Sequence, residues 1–185
     1  MAVEALGTGK QILVLRKGGI DRSDKDFRIV HPEFLLYPTH EHQRAELLKP
    51  EYRGDLARIP TKDDVTDPVQ LGFWVRVTDK FELRDEAELA RLSPFHIWTA
   101  DYAQKRLYWR PKYPLTVAFL RVYSMREVQL MDVTDEYLGC KSWVELRQSF
   151  PLGELAPVLD DDEYEARARA VREAMADVAL VPLEA

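Results

Sequence analysis

Leu115-Thr116-Val117-Ala118-Phe119-Leu120-Arg121-Val122-Tyr123-Ser124-Met125 is the stretch that decides the fold. Val117, Phe119, Arg121 and Tyr123 alternate with Ala118, Leu120 and Val122, so apolar side chains point to both faces. β-Branched and aromatic residues at period two predict a strand, the strongest in the chain. Residues 128–133 are expected to pair with it. A second long strand is expected over Gln70–Leu83, with a bend at Thr78-Asp79. Gln11–Lys17 has the same two-sided character, and Gly18-Gly19 breaks it.

Shorter strands are expected at Phe27–Val30 and Phe34–Tyr37, parted by Pro32, and at Phe95–Trp98. Thr39 is placed to cap a helix over residues 40–48, with Leu47 and Leu48 packing inward. Residues 49–68, with Pro50, Gly54, Pro60 and Pro68, read as an irregular connection holding a helical turn near Tyr52–Ala57. Asp85 and Glu88 have capping-box spacing and open a short helix that ends before Pro94. Thr99 or Asp101 starts another, which runs to about Trp109 and is stopped by Pro111.

Asp160 and Glu163 cap a C-terminal helix with a Tyr164, Ala168, Val171, Met175 stripe. Its Glu163–Arg167, Glu165–Arg169 and Arg169–Glu173 spacings suit ion pairs along the helix. Strands and helices interleave without repeated βαβ units. The expected architecture is one α+β domain over residues 1–150. Its sheet is curved and mostly antiparallel, open or partly closed into a barrel, with short flanking helices. Residues 151–185 read as a linker and a helical appendage.

At 185 residues with 46% hydrophobic and 31% charged content, the chain can bury a core without staples. The lone Cys140 excludes an internal disulfide framework. No apolar run is long enough to span a membrane, and the start lacks the basic and apolar regions of a signal peptide. A reducing cytoplasm is the expected setting. A net charge of −6 excludes a whole-surface nucleic-acid coat but permits a local basic face.

Three groupings carry candidate chemistry. Arg16-Lys17-Gly18-Gly19 ends a strand with two cations and two flexible residues, able to meet an anion, although no P-loop spacing is present. A tight turn with solvated charges is the plain alternative. Tyr102–Tyr113 holds four cations and four aromatics. There Lys105, Arg106, Trp109 and Arg110 could supply charge to phosphates and a ring to a base. The plain alternative is an amphipathic helix with its rings on the sheet.

His31, Glu33, His40, Glu41 and His42 form the third grouping, with the residue types that bind divalent ions. His40 and His42 share a side only if extended. In a helix they diverge by about 200° and cannot share an ion. Cys140 beside Lys141 fits a small core residue better than a nucleophile.

Leu15-Arg16-Lys17-Gly18-Gly19-Ile20, Phe34-Leu35-Leu36-Tyr37-Pro38-Thr39 with Glu41-His42-Gln43, and Gly139-Cys140-Lys141-Ser142-Trp143-Val144 carry a family resemblance. Over most of residues 3–148 the chain resembles the bacterial family called domain of unknown function 1802. The resemblance implies no catalytic residue. Some relatives occur with a restriction-endonuclease-type domain, which implies a nucleic-acid or defence context.

The leading expectation is a non-catalytic nucleic-acid-binding or accessory domain with DNA or RNA as partner and no cofactor. One alternative is a metal-dependent hydrolase or nuclease holding a divalent ion at the histidine cluster. Another is a protein-interaction module that docks through its C-terminal helix.

Overall fold

The computed structural model describes residues 1–17, 29, 31–38, 44–58, 68–132, 134, 137 and 143–183. Its centre is a pair of long antiparallel strands, β3 (Val69–Leu83) and β4 (Leu115–Met131). β1 (Leu13–Arg16) and β5 (Leu155–Pro157) lie end to end on the other edge of β4, pairing with residues 116–119 and 123–125. β2 (Glu33–Leu35) pairs with the free edge of β3. The order β1-β4-β3-β2, with β5 beside β4, is an open sheet. The barrel alternative fails because β1 and β2 lie at opposite ends of that order and do not pair.

β4 is buried without a break from Leu115 to Val122, as two-sided cover requires. On one face Leu115, Val117 and Phe119 meet Leu13, Leu15, Phe81 and Leu83. Three helices close over them: α2 (Glu86–Arg91) through Leu89, α3 (Ala100–Tyr108) through Ala103 and Leu107, and α4 (Asp161–Ala174) through Tyr164, Ala168 and Val171. On the other face Ala118, Leu120 and Val122 meet Val75, Val77, Ile29 and Leu36. Leu6 of α1 (Ala2–Gly7), a helix with no sequence signal, completes that layer. Here the Phe73 ring lies flat against Gly7, where an added Cβ would sit 2.3 Å from it.

The local signals read from sequence hold where they are strongest. Both capping boxes form, Asp85 with Glu88 and Asp160 with Glu163, and Thr99 accepts the Tyr102 N–H at 3.3 Å. The expected bend in β3 is a register shift between Val77 and Asp79. Pro50–Arg58 forms 3-10 turns where a helical turn was expected.

Elsewhere the structure differs. Residues 128–131 do not form a separate strand but continue β4. Residues 95–98 do not form a strand: Ser93–Phe95 is a 3-10 turn that Pro94 favours, and Trp98 makes one bridge to Leu48. Arg44 is extended and only Ala45–Leu47 coil, so the helix over 40–48 does not continue through its second half. Its first half, residues 40–43, lies outside the described residues, as does the expected strand at 27–30 apart from Ile29.

The C-terminal helix does not stand apart. Its stripe, with Met175, belongs to the same core as β1, β3 and β4. Its arginines reach across to the domain: Arg167 donates to the Gly9 carbonyl, and Arg172 grips Asp79 at 2.9 and 3.1 Å. A stripe already enclosed by its own sheet is not free to dock a partner.

Candidate nucleic-acid interface

α3 carries the aromatic and basic residues. Ala103 and Leu107 turn inward, and Tyr102 packs on Trp98 with ring centroids 4.8 Å apart. Arg106, one turn along from Tyr102, donates to its hydroxyl at 3.0 Å and lies 5.4 Å over its ring. It is half-buried and engaged, whereas Lys105 is exposed.

Lys17 sits behind the end of the helix. Its side chain is 4% exposed and its Nζ donates to the Leu107 carbonyl, one of the acceptors a helix leaves unpaired at its C-terminus. Burial, and then the Arg84 charge, push the ammonium below its usual range. Lys17 therefore anchors the helix end; the sequence leaves open a phosphate contact or a solvated turn charge, and its burial fits neither. Arg16 is half-buried at the end of β1, while Gly18 and Gly19 lie outside the described residues.

The helix ends in an unusual turn. Trp109 caps it, with its N–H on the Lys105 carbonyl at 3.0 Å. Arg110 follows at φ 54°, the one non-glycine residue with positive φ among those described. The residue before a proline already has restricted backbone freedom, and Pro111 comes next. Such a conformation costs about 1–3 kcal/mol unless its surroundings enforce it.

In this turn the Arg110 guanidinium lies 4.6 Å from the Trp109 ring centroid. Trp109 is 46% and Tyr108 57% exposed, and Arg110, Pro111 and Lys112 are exposed too. Tyr108 donates to Glu86 Oε1, and Gln104 donates to the other oxygen of that carboxylate at 3.3 Å. The hydrogen bond to Glu86 pushes the Tyr108 phenol up.

The histidine grouping is less defined. His31 and Glu33 are exposed, and Glu33 accepts from Arg76 Nε at 3.0 Å. His40, Glu41, His42 and Cys140 lie outside the described residues. Among the described residues no group of three or more His, Cys, Asp or Glu is placed to hold a metal ion.

His96, which no sequence pattern singled out, is 2% exposed. Its Nδ1 accepts the Trp98 N–H at 3.2 Å. Burial, and then the Lys49 cation, push it down to about 4. Lys49 Nζ donates to the carbonyls of Ser93 and of His96, the latter at 2.7 Å, and Gln11 accepts the Ile97 N–H at 3.1 Å. These bonds go to the backbone and fix the segment that leads into α3. A pocket between Leu6, Gln11, Leu120, Arg121 and Tyr164 has a cavity volume of about 10 Å³, room for about one water and far below the roughly 300 Å³ at which small-molecule sites begin. No helix among the described residues is long and apolar enough to cross a membrane.

The fold defines an α+β domain built on an open, mostly antiparallel sheet, with an exposed aromatic–cationic turn at its surface. Residues 1–170 match the family described as Domain of unknown function (DUF1802), and the chain belongs to that family. The match runs past residue 150 into α4, the helix that completes the core. No curated protein and no solved structure matches the chain.

Proposed function

We propose that this protein is a non-catalytic nucleic-acid-binding domain whose contact surface is the turn after α3. The observation that carries the reading is the Trp109–Arg110 pair, an open aromatic ring and a guanidinium held together in solvent by a strained backbone. Neither side chain contributes to the buried core, which supports a use outside the fold. Lys105 and Lys112 add charge for phosphates, and Trp109 supplies a face for a base. Lys17 and Arg106 support the turn from behind and beside it. An accessory role in a restriction-modification or defence assembly of a bacterial cytoplasm fits such a domain.

Titration of labelled DNA and RNA at rising salt tests the proposal. Binding is expected to weaken with salt. Trp109→Ala is expected to lower affinity by about 5- to 150-fold, the worth of one stacked base, with no change in melting temperature. Absence of binding to DNA and RNA even at low salt refutes it.

A further inference from the structure

The turn after α3 is flanked by opposite charges on two adjacent helix faces. Gln104 and Tyr108, four residues apart, share the face turned to α2, where both meet the Glu86 carboxylate. Asp85, exposed, and Glu88, half-buried, stand beside it in the same helical turn. Lys105 and Trp109, also four residues apart, share the next face, and Arg110 and Lys112 continue from it. Cations and the open ring thus lie along one track, with three carboxylates bordering it.

A single strand needs one track. Its backbone can follow Lys105, Arg110 and Lys112 while an unpaired base covers the part of the Trp109 ring that Arg110 leaves free. A duplex brings a second charged backbone across a groove about 12 Å wide, and its bases already stack on one another. The second backbone would run over Glu86, Asp85 and Glu88. α3 is no groove-reading helix either, because Ala103 and Leu107 are spent on the core and Asp101 charges its first turn negatively.

We infer that the turn takes single-stranded DNA or RNA, and that the α2 carboxylates turn duplex away. This rests on the proposed nucleic-acid reading. Three exposed cations correspond to a log–log salt slope of about −2 for a single strand.

Fluorescence anisotropy with labelled oligothymidylate, oligouridylate and a duplex of equal length provides the test. The expected result is single-strand affinity at least roughly tenfold above duplex, with a slope near −2. Comparison of the thymidylate and uridylate arms identifies which single strand is preferred. Glu86→Gln keeps an acceptor for Tyr108 but removes the charge, and is expected to narrow the single-strand to duplex ratio several-fold.

Equal affinity for single strand and duplex overturns this inference while leaving nucleic-acid binding standing. A ratio unchanged in Glu86→Gln overturns the part assigned to α2. No binding to any probe removes the underlying reading as well.

Discussion

Two arginines lie over aromatic rings at nearly the same distance, and the molecule uses them differently. The Arg121 guanidinium is 4.8 Å from the Tyr164 ring centroid and 5.6 Å from that of Tyr123. It donates to the Asp160 carbonyl at 3.0 Å and to Asp161 at 2.7 Å, and its side chain is 7% exposed. Arg110 is 4.6 Å from the Trp109 centroid but lies in solvent on a left-handed turn. The first pair joins β4 to the start of α4. Among the described residues the second makes no side-chain hydrogen bond or ion pair, and Trp109 stays 46% exposed. Similar contact chemistry ties two elements together where it is enclosed and, on the proposed reading, meets a ligand where it is exposed. The surrounding burial, not the pair itself, decides which.

The largest expected effect belongs to the buried interior and its response to pH. Buried His96 titrates at about 4, below the roughly 6.5 of an unfolded histidine. Above pH 6.5 both states are neutral and His96 contributes no pH dependence. Between about 6.5 and 4 the unfolded chain takes a proton that the folded chain resists, so stability falls with acid by about 3 kcal/mol. Below about 4 this loss levels off. Urea midpoints across that window should fall more in the parent than in His96→Asn, while the exposed turn stays out of the effect.

Next in size, Arg121→Ala removes two ring contacts and two hydrogen bonds from an enclosed site, and a loss of about 2 kcal/mol is expected in urea unfolding. Trp109→Ala makes the opposite pairing, with affinity lost and stability kept. If Arg121→Ala left stability intact, or Trp109→Ala lowered it, the contrast between the two regions would collapse.

What could be read from sequence follows the range of the physics. The long strands, the Asp85 and Asp160 capping boxes and the Thr99 cap depend on neighbours within a few residues, and they formed as expected. The stripe of α4 was equally legible, but not its destination, because an amphipathic helix has the same pattern whether it covers its own sheet or a partner's. Lys17 looks like a surface cation until Leu107, 90 residues away in the chain, is placed over it. His96 carries no local sign, since Lys49, which donates to its carbonyl, lies 47 residues away in the chain. In the aromatic–basic stretch, Pro111 marks the helix stop plainly. The positive φ of Arg110, which stacks it on Trp109, has no residue-type signal because arginine does not favour that region.

The most direct test of the central claim is Arg110→Gly, measured for melting temperature and nucleic-acid affinity on the same preparation. Glycine adopts φ 54° without steric cost, and the exposed arginine makes no buried contact. If the turn holds its strained shape for a ligand, the melting temperature stays level or rises while affinity falls several-fold. Retained affinity, or a melting temperature that falls together with it, would contradict the account.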